Sequence, residues 1–333
     1  MYHVKLSIAS DNAGCNRQLP GRGFVWGNYH FHINEDIPEA DFWAVYSKGQ
    51  RKTECCKCSP DNTLFITGEP ETVYHYSHAF VKQFARVLSV QEKIRHRNMQ
   101  LMQPAQPWHI GKITKADGQN VEVEYSQDYN SLKNVGIPVK SKLISIITSN
   151  KCFTQGHKDR IAFAMKLKEH YSDSLDLYGH GFRDFSDKWD VIAPYQYHIC
   201  IENSSYPHYW TEKLADSYLG GAFPFYYGCP NLSEYFSQEA FLPIDIHDAE
   251  AAIRLIDDAV ANDMYSQRRA AILEAKSQVL DEYNLFALLA SEFDKMNPDA
   301  GKKMLVIKSD TSFIDFKKIQ VMVINRLKHK YLK

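Results

Sequence analysis

Short apolar runs broken by turn residues set the rhythm of the first part of the chain. Residues 2–9 (YHVKLSIA), 28–33 (NYHFHI), 41–47 (DFWAVYS) and 63–67 (TLFIT) are rich in β-branched and aromatic residues and read as strands. Val73, Phe80, Val81, Phe84 and Leu88 then predict a helix following Gly68-Glu69-Pro70-Glu71. Residues 99–110 form a Pro-containing loop with Trp108 and His109. Alternation in Val121-Glu122-Val123-Glu124-Tyr125, with Asp117-Gly118 as turn, predicts a hairpin over 113–125. Residues 129–140 read as a linker with Gly136-Ile137-Pro138 as hinge.

A second rhythm starts at Leu143. Leu143–Thr148 is a buried-type strand, Gly156–Arg160 opens a helix with Ile161, Met165, Leu167 and Tyr171 on its apolar side, and Leu175–Gly179 is a strand. The strand His198–Ile201 stops at Glu202-Asn203-Ser204-Ser205. Tyr209-Trp210 and Thr211-Glu212-Lys213 then lead into a helix that ends at Gly220-Gly221. A strand that empties into a loop capped by a helix N-terminus presents free N–H groups and a favourable dipole to an anion, and Lys213 adds positive charge. Open α/β sheets bind ligands in such crevices. Helices are expected over 248–260 and 262–290.

Composition narrows the functional classes. With 39 basic and 40 acidic side chains in 333 residues, the chain has no global field for nucleic acid. Its length suits one large or two medium domains. The opening Met1–Lys5 leads straight into a strand pattern, with neither a signal peptide nor a membrane-spanning run, and seven cysteines lack the density of a disulfide scaffold. A cytoplasmic protein is expected. Cys55-Cys56-Lys57-Cys58 has no partner Cys-x-x-Cys for a tetrahedral zinc site and reads as reduced loop cysteines. Gly21-x-Gly23 has no helix behind it and does not make a nucleotide loop.

The segment Glu202-Asn203-Ser204 … Tyr209-Trp210-Thr211-Glu212-Lys213-Leu214, followed by Phe223-Pro224-Phe225-Tyr226-Tyr227-Gly228 and Phe241–Asp245, resembles the signature of glycosyltransferase family 10, the α1,3/4-fucosyltransferases. The resemblance extends loosely back to Ser149. It implies an α/β fold of the GT-B type, two Rossmann-like domains facing a cleft. An acceptor-binding domain is expected over 1–140, with a hairpin insertion at 111–126, and a nucleotide-sugar domain over 141–300. It further implies inverting transfer of fucose from GDP-fucose to a hydroxyl of a glycan acceptor, such as a lipid-linked bacterial surface glycan of the lipopolysaccharide kind, through an α1,3-type linkage. Donor contacts would come from Ser149, Asn150, Arg160, Tyr178, Glu202, Asn203, Tyr209, Thr211, Glu212 and Lys213. Thr67-Gly68-Glu69 resembles a family element whose Glu is the catalytic base; Glu69 could equally be a carboxylate that complements a helix dipole. Trp108 and His109 are acceptor candidates, although Trp108 could be a buried core residue. No metal or cofactor is expected, because Arg160 and Lys213 supply positive charge at the diphosphate and the chain contains no Asp-x-Asp.

The basic segment 301–333 reads as a C-terminal helical tail. Phe313, Phe316, Ile319, Val323 and Leu327 can share one side, with Lys317, Lys318, Arg326, Lys328 and Lys330 around it. Peripheral contact with the inner membrane face is one expectation; packing back on the first domain is the other. Two further functions stay open: the same chemistry with another nucleotide sugar, and a non-catalytic glycan- or nucleotide-binding protein.

Overall fold

A computed structural model describes residues 1–117, 120–150, 155–313, 316–321 and 323. The chain forms two compact units, Met1–Pro107 with Tyr283–Lys333, and Trp108–Glu282. Each is built on a parallel sheet, as expected of the two Rossmann-like halves of a GT-B type protein.

In the first unit the strand order is Val25–Trp26, Tyr29–Ile33, Tyr2–Ser7, Phe42–Tyr46, Thr63–Ile66, Arg86–Ser89, Met99–Leu101. All neighbours are parallel except the first pair. Period-two alternation sends Val4, Leu6, Phe31, Phe42, Ala44 and Leu64 to one face, where they pack with the helix Leu285–Phe293. Phe286 meets Phe31 edge-on, and Phe293 stacks on Phe42. Trp43, Val45, Phe65 and Val87 face the other way, toward Tyr76, Phe80, Val81 and Phe84. Burying both faces makes these strands nearly continuous apolar runs.

Several elements differ from expectation. The helix expected over 73–88 shrinks to His78–Val81, capped by Ser77, because Val87 and Leu88 pair with Phe65 and Ile66 as a strand. Glu54–Cys58 is a strand and not a loop; Cys56 and Cys58 are buried on it and Cys55 is exposed. It pairs antiparallel with Lys303–Ile307, so residues 303–307 are sheet and not helical tail.

Further along, Lys318 reaches the buried Asp310 carboxylate at 2.7 Å, and Tyr74 donates to the same oxygen. Residues 316–321 are helical, with Phe316, Ile319 and Val323 exposed. Leu327, Arg326, Lys328 and Lys330 lie outside the described residues. Removing one partner of a buried ion pair costs about 3–5 kcal/mol. Lys318→Ala is therefore expected to destabilise the protein by that amount in a denaturant titration, whereas an unchanged midpoint would mean that the tail does not brace the unit.

The second unit carries the order Leu175–Tyr178, Lys142–Ile147, Tyr195–Ile201, Phe223–Tyr227, Leu242–Pro243, all parallel. Ile144, Ile146, Tyr197, Ile199, Phe223 and Phe225 pack against the helices Gln155–Tyr171 and Ala249–Ala261. Phe163, Ala164 and Leu167 form the buried side of the first of these helices, and Met165 is exposed.

The domain boundaries also move. Residues 129–140 are no linker: Tyr129–Asn134 is a helix with an Asp128/Ser131 capping box, tied to Asp281 by Tyr129 and Lys133. The hairpin Lys112–Asp117 with Asn120–Tyr125 belongs to this unit too; its Gly118 turn lies outside the described residues. The helix expected over 262–290 breaks into Met264–Gln267, Arg269–Asp281 and Leu285–Phe293. Asn284 caps the last of these, whose Phe286 and Phe293 find their partners on the first sheet. That is why 283–300 leaves the second unit.

Candidate active site

Because the strands of the second unit are parallel, their carboxyl ends share one edge of the sheet. Ser149 and Asn150 follow Lys142–Ile147 there, and Glu202 and Asn203 follow Tyr195–Ile201. The helix Glu212–Leu219 starts beside them with Thr211 as N-cap, its hydroxyl accepting from the Lys213 N–H at 3.3 Å.

Glu202 organises this corner. Its carboxylate is buried, and accepts the Thr211 N–H at 2.8 Å, the Thr211 hydroxyl and the Lys213 ammonium at 3.3 Å. Gly228 makes room for it, since a Cβ there would stand 2.5 Å from Glu202 Cγ. Burial pushes the Glu202 carboxyl up, against the pull of Lys213. Buried and engaged by Thr211 and Lys213, Glu202 fixes the helix entry, a structural role beside the donor contact expected of it.

Lys213 is balanced in the same way. Burial draws its ammonium down, but Glu202 and Glu212, at 3.3 and 3.4 Å, outweigh it and hold the value above the ordinary one. Glu212 is held well below the usual carboxylate range: burial opposes this, and Lys213, Lys188 and His109 overcome it. The full positive charge expected of Lys213 is thus shared with two carboxylates.

Arg160 is different. It lies in the helix Gln155–Tyr171 and donates from Nη1 to Asn203 Oδ1 at 2.6 Å. Its Nε is buried without a hydrogen-bond partner among the described residues, and burial lowers its pKa, with Glu202 acting the other way. A buried guanidinium donor left open needs an acceptor, and a planar fork suits phosphate oxygens.

His109 and Trp108 belong to this unit and not to the first. The His109 and Ile110 N–H groups donate to Asp216 Oδ1 at 3.0 and 2.9 Å, and Lys188 closes on Asp216 Oδ2 at 2.6 Å. Asp187 accepts the Gly111 N–H at 2.8 Å. This pinning places the exposed His109 ring 3.7 Å from Glu212. Desolvation by the surrounding protein and then Lys188 lower its pKa, with Glu212 and Asp216 opposing.

Trp108 is 3% exposed, so it offers no face to a sugar and is core. Tyr178 is likewise core: it is buried beside Val191 and Tyr195, with its hydroxyl 2.7 Å from that of Tyr195. Tyr209 is buried as well, its N–H bonded to the Tyr206 carbonyl. Asp216, Asp187 and Lys188 were missed by sequence reading. An aspartate on the apolar side of Glu212–Leu219, beside Leu214, Ala215, Tyr218 and Leu219, was the available signal.

Glu69 lies in the first unit, just past the strand Thr63–Ile66. Its turn is tightly held: Gly68 N–H donates to the Tyr76 hydroxyl at 3.1 Å, Gln106 to the Gly68 carbonyl and Gln91 to the Glu69 carbonyl, both at 2.8 Å. A Cβ at residue 68 would meet Ser47 Oγ at 2.6 Å, so glycine is required for this close approach. No helix follows directly; Glu71 sits in a turn and pairs with Lys93 and Lys317, each at 3.2 Å. A cavity of about 360 Å³ opens beside it, lined by Glu71, His75, His78, Lys93 and Arg95 among others.

The profile described as glycosyltransferase family 10 (fucosyltransferase) C-term matches residues 137–263. An alpha-(1,3)-fucosyltransferase FucT of Helicobacter pylori is 30% identical over 71 residues, 21% of this chain and 14% of the length of that relative. A solved alpha-glucosyltransferase, in complex with UDP and a mismatched DNA 13-mer, aligns over 89% of this chain and 99% of its own. Its TM-score is 0.53 at 8% identity, a likeness of fold. A solved alpha1,3-fucosyltransferase with GDP-fucose aligns over 85% of this chain and 92% of its own, with a TM-score of 0.48 and 16% identity. The matched stretch contains Arg160, Asn203, Glu202 and Thr211–Lys213 and excludes Glu69 and His109. Residues 137–263, which build the corner around Glu202, therefore match the C-terminal domain of glycosyltransferase family 10.

Proposed function

We propose that this chain is an inverting fucosyltransferase that moves fucose from GDP-fucose to a hydroxyl of a glycan acceptor. The observation that carries the reading is the open, buried Arg160 Nε within the stretch matched by the family 10 profile. The α1,3-type linkage is proposed on the similarity to the Helicobacter pylori protein, and a lipid-linked bacterial surface glycan as acceptor belongs to the same reading.

In the proposed step the acceptor O–H gives its proton to the Glu69 carboxylate as its oxygen bonds to the anomeric carbon. The bond from that carbon to the β-phosphate oxygen breaks, and GDP leaves with the electron pair. Arg160 and the N–H groups at the start of Glu212–Leu219 meet the charge that grows on the leaving group. Ser149, Asn150 and Asn203, at the carboxyl edge of the sheet, are proposed donor contacts, and so is Glu212, which can accept from ribose or sugar hydroxyls. His109, beside Glu212 in the 108–111 loop, is the proposed acceptor contact.

Thermal denaturation with nucleotide sugars tests the donor. GDP and GDP-fucose are expected to raise the midpoint more than UDP or dTDP sugars at equal concentration, since a ligand that binds only the folded state stabilises by mass action. Equal or greater stabilisation by a UDP sugar would favour the same chemistry with another donor. Among the described residues no helix is long and apolar enough to cross a membrane.

A further inference from the structure

A second group of chemically capable side chains lies in the first unit, on strands the proposed transfer does not use. His3 stands on Tyr2–Ser7, and His30 and His32 on Tyr29–Ile33, the adjacent parallel strand. The register sets His3 opposite His30 and Lys5 opposite His32. Since side chains alternate, His30 and His32 share a face, and pairing brings His3 onto it. One ring nitrogen of each histidine lies within 4.8 Å of the other two. His3 Nδ1 and His32 Nε2 face each other at 2.9 Å, so a single proton, or something in its place, must sit between two lone pairs. The rings of His30 and His32 stack at 4.7 Å, which presents their edges in one direction.

We propose that His3, His30 and His32 bind a divalent transition-metal ion of the zinc type, with solvent completing the shell. Three imidazoles with an open fourth position form a known class of zinc donor set, and imidazole suits zinc, copper and nickel over magnesium or calcium. The groups around the rings fit. His32 Nδ1 is 3.0 Å from Glu35 Oε2, the carboxylate–histidine arrangement that fixes a ring and raises its basicity as a ligand. The Lys5 ammonium holds the Glu35 carbonyl at 2.6 Å, and the backbone N–H of His3 donates to Asp41 at 2.7 Å. Lys5 shares the face, yet its charge is met by Glu54 at 3.1 Å and Asp36 at 3.9 Å, which limits its repulsion of a dication. His3 and His30 sit near the amino ends of their strands, whereas Glu69 follows the carboxyl end of a strand in the same sheet. The ion would staple two neighbouring strands and take no part in transfer.

The test uses the full chain, stripped with a chelator and titrated with zinc by calorimetry and thermal denaturation. One equivalent is expected to bind and to raise the melting midpoint, and His32→Ala and His30→Ala should abolish that rise. Glu35→Gln should weaken zinc about 10–100-fold, as losing a carboxylate behind a metal-bound histidine does. Cys55→Ser should leave binding unchanged. Cobalt loaded into the unaltered protein needs no variant: its spectrum should show nitrogen and oxygen ligands. Thiolate-to-cobalt charge transfer would place the ion on Cys55, Cys56 and Cys58 and overturn the proposal. So would the absence of a zinc-dependent shift, or a shift that survives in folded His32→Ala.

Discussion

Glu69→Gln is expected to lower transfer by roughly 10²–10⁴-fold, the contribution of a positioned general base, while nucleotide-sugar binding measured by calorimetry survives. Glutamine keeps the shape and removes the proton acceptor. The turn that carries Glu69 is held through backbone groups, by Gln91, Gln106 and Tyr76, so the substitution leaves those bonds in place. Glu71 is the natural control. Burial pushes its carboxyl up, but Lys93 and Lys317 outweigh that and hold it below the usual range, which makes it a poor base near neutral pH. Glu71→Gln should therefore be much milder in transfer and show itself in stability. If Glu69→Gln transfers at nearly the full rate and Glu71→Gln does not, the base is misplaced by two residues. If both retain activity, neither residue is the base.

What local pattern could show in this chain, it showed. The strands 2–9, 28–33, 41–47 and 63–67 and the strand–loop–helix around Glu202 follow from side-chain alternation and turn residues over a few positions. What it could not show depends on partners far away in sequence. The segment 73–88 has an acceptable helical spacing, but Val87 and Leu88 gain more as a strand beside Phe65 and Ile66. Lys303–Ile307 is sheet only because Glu54–Cys58 offers an edge to it. Leu285–Phe293 is helical as expected, yet nothing in its own periodicity says that Phe31 and Phe42 will receive it. The same limit held at the site. Glu202 reads as a ligand residue because its motif is polar and ends a strand; only the fold shows its oxygens engaged by Thr211 and Lys213. The histidine cluster requires the register between two strands, which His30-Phe31-His32 alone does not fix.

Arg160 and Lys213, paired in the sequence reading as two cations for one diphosphate, are expected to separate under mutation. Arg160→Ala removes a guanidinium whose described partner is the neutral Asn203 and whose Nε is open. Among the described residues this takes a donor from one amide oxygen and a favourable charge from Glu202, which keeps its bond to Lys213, so unfolding should change little. Donor affinity and kcat should both fall, with a loss in kcat of about 10²–10³-fold, the range for removing one preorganised donor to a developing oxyanion. Arg160→Lys keeps the charge and loses the fork, and should recover only part of it. Lys213→Ala instead strands the buried Glu202 carboxylate beside Glu212 without its counter-charge. Breaking such a pair costs about 3–5 kcal/mol, so this variant should lose folding stability first and activity as a consequence. Denaturant titration and donor calorimetry on the two variants separate the roles. Arg160→Ala with unchanged GDP affinity would remove Arg160 from the diphosphate site, and Lys213→Ala with unchanged stability would return Lys213 to it.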